Sequence, residues 1–180
     1  MSTASRGFTF VELIFFIVVV GIGVTGIVLV YTTAVRDSVD PLVRKQLLAV
    51  AEGLLEEVQL MPFTYCDPDD PDAATATSTA DCTVVEALGP EGGETRYSAT
   101  SPFDNVNDYH GFSMAGIRDI TNTPIGGLSA YSASVAVTEG GLGITPAADV
   151  LRITVTVAGS GGDSITLDGY RTRYAPTAVP

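Results

Sequence analysis

From residue 13 to residue 31 this chain carries no charged side chain. A helix rises about 1.5 Å per residue, so the run makes a rod of roughly 28 Å, about the thickness of a bilayer's hydrocarbon core. A single carboxylate, Glu12, stands at the edge of the run. A charge near the hydrocarbon costs on the order of 2.5–3.5 kcal/mol on insertion scales, which makes Glu12 a functional residue in need of a partner.

The flank of the run constrains its use as a targeting segment. A secretory signal places a basic region before the apolar stretch and a small-residue cleavage site after it. Here Arg6 is the only charged side chain before Glu12, and the small residue, Gly7, precedes the apolar run. No Ala-x-Ala-like site follows directly on the run. Spacing alone therefore describes an uncleaved single-span anchor, with Arg6 cytoplasmic and everything after Tyr31 outside.

The residues Arg6-Gly7-Phe8-Thr9-Phe10-Val11-Glu12-Leu13 resemble the class III signal of type IV pilins and pseudopilins. The resemblance implies that a dedicated membrane peptidase cuts after Gly7 and that the new first residue, Phe8, is N-methylated. It makes Glu12 the assembly residue. A protonated α-amine on a neighbouring subunit's Phe8 is the opposite charge that Glu12 needs. Two charges about 4 Å apart attract by about 4 kcal/mol at an effective dielectric near 20. Such a pair would set the axial register of packed helices, as a single polar group does in a coiled coil.

Gly21, Gly23 and Gly26 interrupt the apolar run. Their spacing is not the four-residue repeat that brings membrane helices together. In the pilin family a proline often stands eight residues beyond the glycine at the Gly21 position. Leu29 occupies that place here, a departure from the major-pilin pattern. Asp40-Pro41 reads either as a helix restart, with Asp40 as N-cap, or as a kink in one long helix. Leu47, Ala51, Leu54, Val58 and Met61 then recur at three- and four-residue spacing, with Leu48 and Leu55 beside them. Arg44, Lys45, Glu52, Glu56 and Gln59 take the other side. This pattern predicts an amphipathic helix packed on a globular domain, ended by Pro62.

Residues 62–84 read as loop. They hold both cysteines, Cys66 and Cys82. In an oxidising compartment these would pair, closing a loop worth about 3 kcal/mol in the chain-entropy account. Zinc is excluded for want of four ligands. Asp67, Asp69, Asp70 and Asp72 raise the question of calcium, but prolines break the ligand rhythm of an EF-hand loop, so a solvated acidic loop is expected. Major pilins usually carry their disulfide near the C-terminus, a second departure.

Residues 89–94 form a turn cluster, and residues 103–111 mix aromatic and acidic side chains around the only histidine, His110. A base at His110 oriented by Asp104 or Asp108 has no activated nucleophile beside it. The segment reads instead as a loop closed by Asp and Asn and anchored by Phe103, Tyr109 and Phe112. Its Phe-Asp-Asn-Val and Asp-Tyr runs, with Leu54-Leu55-Glu56-Glu57 before Pro62-Phe63, are similar to minor pilins of mannose-sensitive haemagglutinin type pili. Farther on, Tyr131, Ala133, Val135 and Val137 alternate with polar residues, as do Leu151, Ile153, Val155 and Val157. A Gly-rich turn at 159–163 and a strand over 164–172 complete a meander of at least three antiparallel strands. One face should pack on the amphipathic helix and the other meet solvent.

The expected organisation is a leader over residues 1–7, a transmembrane and filament-core helix over 8–35, an amphipathic helix over 36–62 and a loop-rich β domain over 63–180. The fold class is α+β, a long N-terminal helix packed on a C-terminal antiparallel sheet, as in type IV pilins. A net charge of −12 argues against a nucleic-acid surface. The resemblance implies a minor pilin-like structural subunit with no catalytic residue, metal or cofactor. Its partners are a prepilin peptidase, other pilins met through the N-terminal helix, and the inner membrane. The β domain would be periplasmic before the subunit joins a pilus. A minor pseudopilin of type II secretion and a membrane-anchored binding domain that never polymerises are the alternatives.

Overall fold

The computed structural model describes residues 7–143 and 146–178, and the side chains of residues 35–40 lie outside that description. The expected leader, Arg6 included, therefore falls outside it except for Gly7. The chain divides into two compact units, Met1–Val43 and Arg44–Pro180.

One helix, α1 (Phe10–Leu60), contributes to both. Thr9 caps its first turn, accepting the Glu12 N–H on its hydroxyl at 3.3 Å. The cap uses the Glu12 backbone N–H and leaves its carboxylate free of hydrogen bonds among the described residues. The helix does not restart at Asp40-Pro41; Pro41 lies inside it. A proline in a helix interior costs about 3 kcal/mol, a penalty that long favourable runs on either side outweigh here.

In the first unit, Phe10–Ala34 is long and apolar enough to cross a membrane. Every described residue from 7 to 34 is exposed. The threonine hydroxyls of this segment are satisfied within it. Thr25 donates to the Gly21 carbonyl at 2.8 Å, and Thr32 and Thr33 donate to the Leu29 carbonyl at 2.9 and 3.0 Å.

The second unit is a four-stranded antiparallel meander with the last turns of α1 laid across one face. The strands are β1 (Ser113–Ala115), β2 (Ser132–Glu139), β3 (Val150–Ala158) and β4 (Ser164–Thr172), hydrogen-bonded in that order. Register follows the apolar alternation, because a shift by one residue would turn every inward side chain to solvent. Val135 pairs with Val155 and Val137 with Ile153, all buried. Leu47, Ala51, Leu54 and Val58 of α1 are the helix side of the same core. The expected stripe is thus present, with Met61 at its half-buried end. The outward face of the sheet is polar: Arg152 and Asp168 form an ion pair at 2.7 Å, and Thr154 donates to Asp168.

Two turns position the rest. The β3–β4 turn spans residues 159–163 as the sequence predicts, with Gly162 at φ 88° where a side chain would be strained. Gly169 in β4 marks the closest approach of helix and sheet. A Cβ there would lie 2.9 Å from a Leu55 methyl and 2.5 Å from the Gln59 amide nitrogen. Gln59 is therefore half-buried rather than on the open side expected for it. Short 3-10 helices at Thr79–Asp81, Asn107–Tyr109 and Ala147–Asp149 punctuate the connections.

Candidate functional site

The N-terminal motif residues sit at the free start of α1. Gly7 and Phe8 precede the helix, Phe8 is 84 % exposed, and Glu12 lies exposed in the first turn. No side chain of this chain pairs with Glu12 among the described residues.

The cysteines do pair. Cys66 and Cys82 form a disulfide, and with Ala73, Ala76 and Tyr65 they make a small satellite core under the loop. The loop is also tied down from outside. Tyr65 N–H donates to the Pro176 carbonyl at 2.9 Å, and the Arg173 guanidinium stacks 4.2 Å from the Phe63 ring. Arg173 in turn bonds Asp149 at 3.0 Å.

The loop is not the uniformly solvated acidic segment expected from its composition. Its aspartates close turns: Asp67 Oδ1 accepts the Asp69 N–H, Asp70 Oδ1 accepts the Asp72 N–H, and Asp81 accepts the N–H groups of Thr77 and Ser78. The Val84 N–H, and then that of Asp72, hold Asp70 below the usual carboxylate range, and the Thr77 hydroxyl, and then its N–H, do the same for Asp81. Asp67 is different. It is only 6 % exposed, and burial pushes its pKa up despite the bond from Asp69.

Asp67 is joined by carboxylates from two other segments. Glu91 and Glu94 come from the turn cluster and Asp108 from the 3-10 helix Asn107–Tyr109. One carboxylate oxygen from each of these four residues lies within 4.8 Å of the others. A second group, sharing Asp67, adds Asp69 and Asp104. Asp108 is fully buried. Its Oδ2 accepts the N–H groups of Asp104 and Asn105 at 2.9 and 2.8 Å, which locks its orientation. The Asn105 amide donates to Thr64 at 3.1 Å, tying this loop to the start of the cysteine loop. Behind it, Phe103, Tyr109 and Phe112 pack edge to face, with Phe103 and Tyr109 ring centres 5.0 Å apart. This is the aromatic anchoring that the sequence predicts.

Burial first, then mutual repulsion, raises Asp67, Glu91, Glu94, Asp104 and Asp108. Burial first, then Glu94 and Glu91, pushes Asp108 up to about 8. Burial and the neighbouring Asp67 push Asp104 and Glu94 to about 7. Glu86, bonded to the Asn107 amide, is also pushed to about 7 by burial. The ion pairs among the described residues lie elsewhere and neutralise none of these groups. Such a set of hard oxygen donors suits a hard cation better than zinc or copper.

These shifts predict the pH response of protein held in chelator. A carboxyl whose folded pKa is raised contributes stability that is full below its unfolded value, near 4, and is lost as pH rises through its folded value. The melting temperature in EDTA should therefore fall from about pH 5 to about pH 8. A flat or rising profile over that window would contradict the cluster's geometry.

His110 is not a base oriented by these aspartates. Its Nδ1 accepts the Val137 N–H at 3.2 Å, while Asp108 serves backbone donors. Sequence reasoning names Asp67, Asp104 and Asp108 singly but misses their convergence with Glu91 and Glu94. The available signal is that each acidic segment carries residues of tight turns: Pro68 and Pro71 in the first, Gly89, Pro90, Gly92 and Gly93 in the second, Asn105, Asn107 and Gly111 in the third.

The described chain thus belongs to a broad class: an N-terminal helix long and apolar enough to span a membrane, followed by a disulfide-bonded α+β unit. Comparison with protein-family models gives no match, and neither curated proteins nor solved structures match the chain significantly.

Proposed function

We propose that this protein is a minor pilin-like structural subunit, processed by a prepilin peptidase and assembled into, or priming, a type IV pilus of the mannose-sensitive haemagglutinin type. The observation that carries the reading is the exposed apolar helix Phe10–Ala34 with Glu12 in its first turn, directly after Gly7-Phe8. Among the described residues that helix is fully exposed, as a segment meant for lipid or for neighbouring helices requires. The amphipathic end of α1 on an antiparallel sheet, and the disulfide, are consistent with a pilin-like subunit. In this reading the subunit waits in the inner membrane with its α+β unit in the periplasm. Assembly is non-covalent, with no catalysis by this chain and with other pilins as partners through the helix.

The test has two arms in the native host. Mass spectrometry should find a mature chain beginning at N-methylated Phe8. Glu12→Ala should be cleaved and membrane-inserted normally, yet be absent from sheared filaments. An intact Met1 in the mature protein would sink the reading in favour of a simple anchor. Normal incorporation of Glu12→Ala would remove the pairing role of the carboxylate.

A further inference from the structure

We propose that the pocket formed by Asp67, Glu91, Glu94 and Asp108, with Asp104 and Asp69 at its margin, is a calcium site. The proposal rests on orphaned buried oxygens as well as on the number of acids. Asp108 is fully buried and its Oδ1 has no hydrogen-bond donor. Asp67 is 6 % exposed and its Oδ2 has none either. Glu91 Oε2, Glu94 Oε2 and Asp104 Oδ1 are likewise buried and unpaired. A buried carboxylate oxygen without a partner loses the full solvation of a charged acceptor, so convergence of several on one point is a strong demand for a cation.

The two buried aspartates share one construction. In each, one oxygen is fixed by backbone N–H groups and the other is left free. Asp67 Oδ1 takes the Asp69 N–H at 2.8 Å, and Asp108 Oδ2 takes those of Asp104 and Asn105. The fixed oxygen sets the rotamer, as outer hydrogen bonds do for metal-binding carboxylates. The supports are rigid: Asp67 follows the disulfide-bonded Cys66, and Asp108 precedes the buried Tyr109. Asp67, Asp69, Glu91 and Glu94 also line a surface cleft of about 250 Å³, a route from solvent.

Ligand count selects the ion. One oxygen from each of the four carboxylates lies within 4.8 Å of the others, close enough to share one cation. Calcium takes six to eight oxygens and accepts several carboxylates in flexible geometry, whereas magnesium prefers to keep several waters and few carboxylates.

The test uses the full-length protein in detergent, stripped with EDTA and titrated with calcium chloride by calorimetry. Wild type should bind saturably, with an affinity of about 10⁻³ M or tighter, and its melting temperature should rise with calcium more than with magnesium. Glu91→Gln and Glu94→Gln, at the half-buried rim, should stay folded by circular dichroism and together weaken binding at least about tenfold. Asp163→Asn, in the exposed β3–β4 turn, should bind as wild type. Absence of saturable binding at millimolar calcium, or wild-type affinity in the folded rim variant, would overturn the proposal. An equal response to magnesium would overturn the choice of calcium.

Discussion

Replacing Glu57 by Ala should lower the stability of the α+β unit by about 3–5 kcal/mol, the cost of breaking a buried ion pair from one side. Glu57 stands on the amphipathic part of α1 and grips Arg96 with both oxygens, at 2.6 and 2.7 Å. The Arg96 side chain is only 5 % exposed. Its remaining donors reach the carbonyls of Arg118 and Asp119, both at 3.3 Å, and its plane lies 5.2 Å from the Tyr97 ring centre. Glu57 also accepts the Tyr109 hydroxyl at 2.8 Å. Burial and the carboxylate keep that hydroxyl protonated by pushing its pKa up. One side chain thus joins helix, middle loop and aromatic cluster. Truncation leaves a buried guanidinium without its ion-pair partner. Glu57→Gln keeps an acceptor and should cost less, and Glu57→Leu with Arg96→Met should recover much of the loss, because it removes both charges together. Urea midpoints on the full-length protein in detergent read this out. An Ala variant within about 1 kcal/mol of wild type would show that the pair is not the tie described.

Removing the disulfide should have the next largest effect. Cys66→Ala with Cys82→Ala opens a loop with a sequence separation of 16, which in the chain-entropy account costs about 3 kcal/mol. The loss extends beyond chain entropy. Both cysteines belong to the buried cluster with Ala73 and Ala76, so their truncation also thins the loop's only core. Asp67 adjoins Cys66 and would lose its fixed position. The double variant should melt lower than wild type, and added reductant should reproduce in the wild-type protein the part of that loss that comes from opening the loop. Equal melting temperatures, reduced and oxidised, would refute this. Sensitivity of calcium binding to the same double variant would be a separate readout.

Most of the fold was legible because its signals are periodic. Leu47, Ala51, Leu54 and Val58 announce a helix face, and Val135 against Val155 announces a strand pair, through spacing that one sequence displays. β1 was not, because Ser113–Ala115 is too short to alternate. The path of α1 through Pro41 is ambiguous in the sequence, since Asp-Pro suits a helix start as well as an interior kink. The N-terminal motif is contiguous and therefore readable, with the Thr9 cap hidden inside it. The carboxylate pocket is the opposite case. Its members come from the cysteine loop, the turn cluster and the aromatic loop, which are held together by the Asn105–Thr64 bond, the bond from the Gly89 N–H to the Asn107 carbonyl and the packing of Tyr109. The Glu57–Arg96 pair is similarly non-local, joining residues 39 apart. No spacing rule announces a contact that tertiary packing creates.

The self-bonded hydroxyls of the first unit bear on how its helix moves against whatever surrounds it. Between residues 13 and 30 Thr25 is the only polar side chain, and its donor is already held by the Gly21 carbonyl. Thr32 and Thr33 are held in the same way by Leu29. A rod of this kind can be drawn lengthwise past lipid or another helix without breaking a hydrogen bond, so friction along it is dispersive and nearly uniform. Resistance to axial slip is then concentrated at its tip, in the one carboxylate of Glu12.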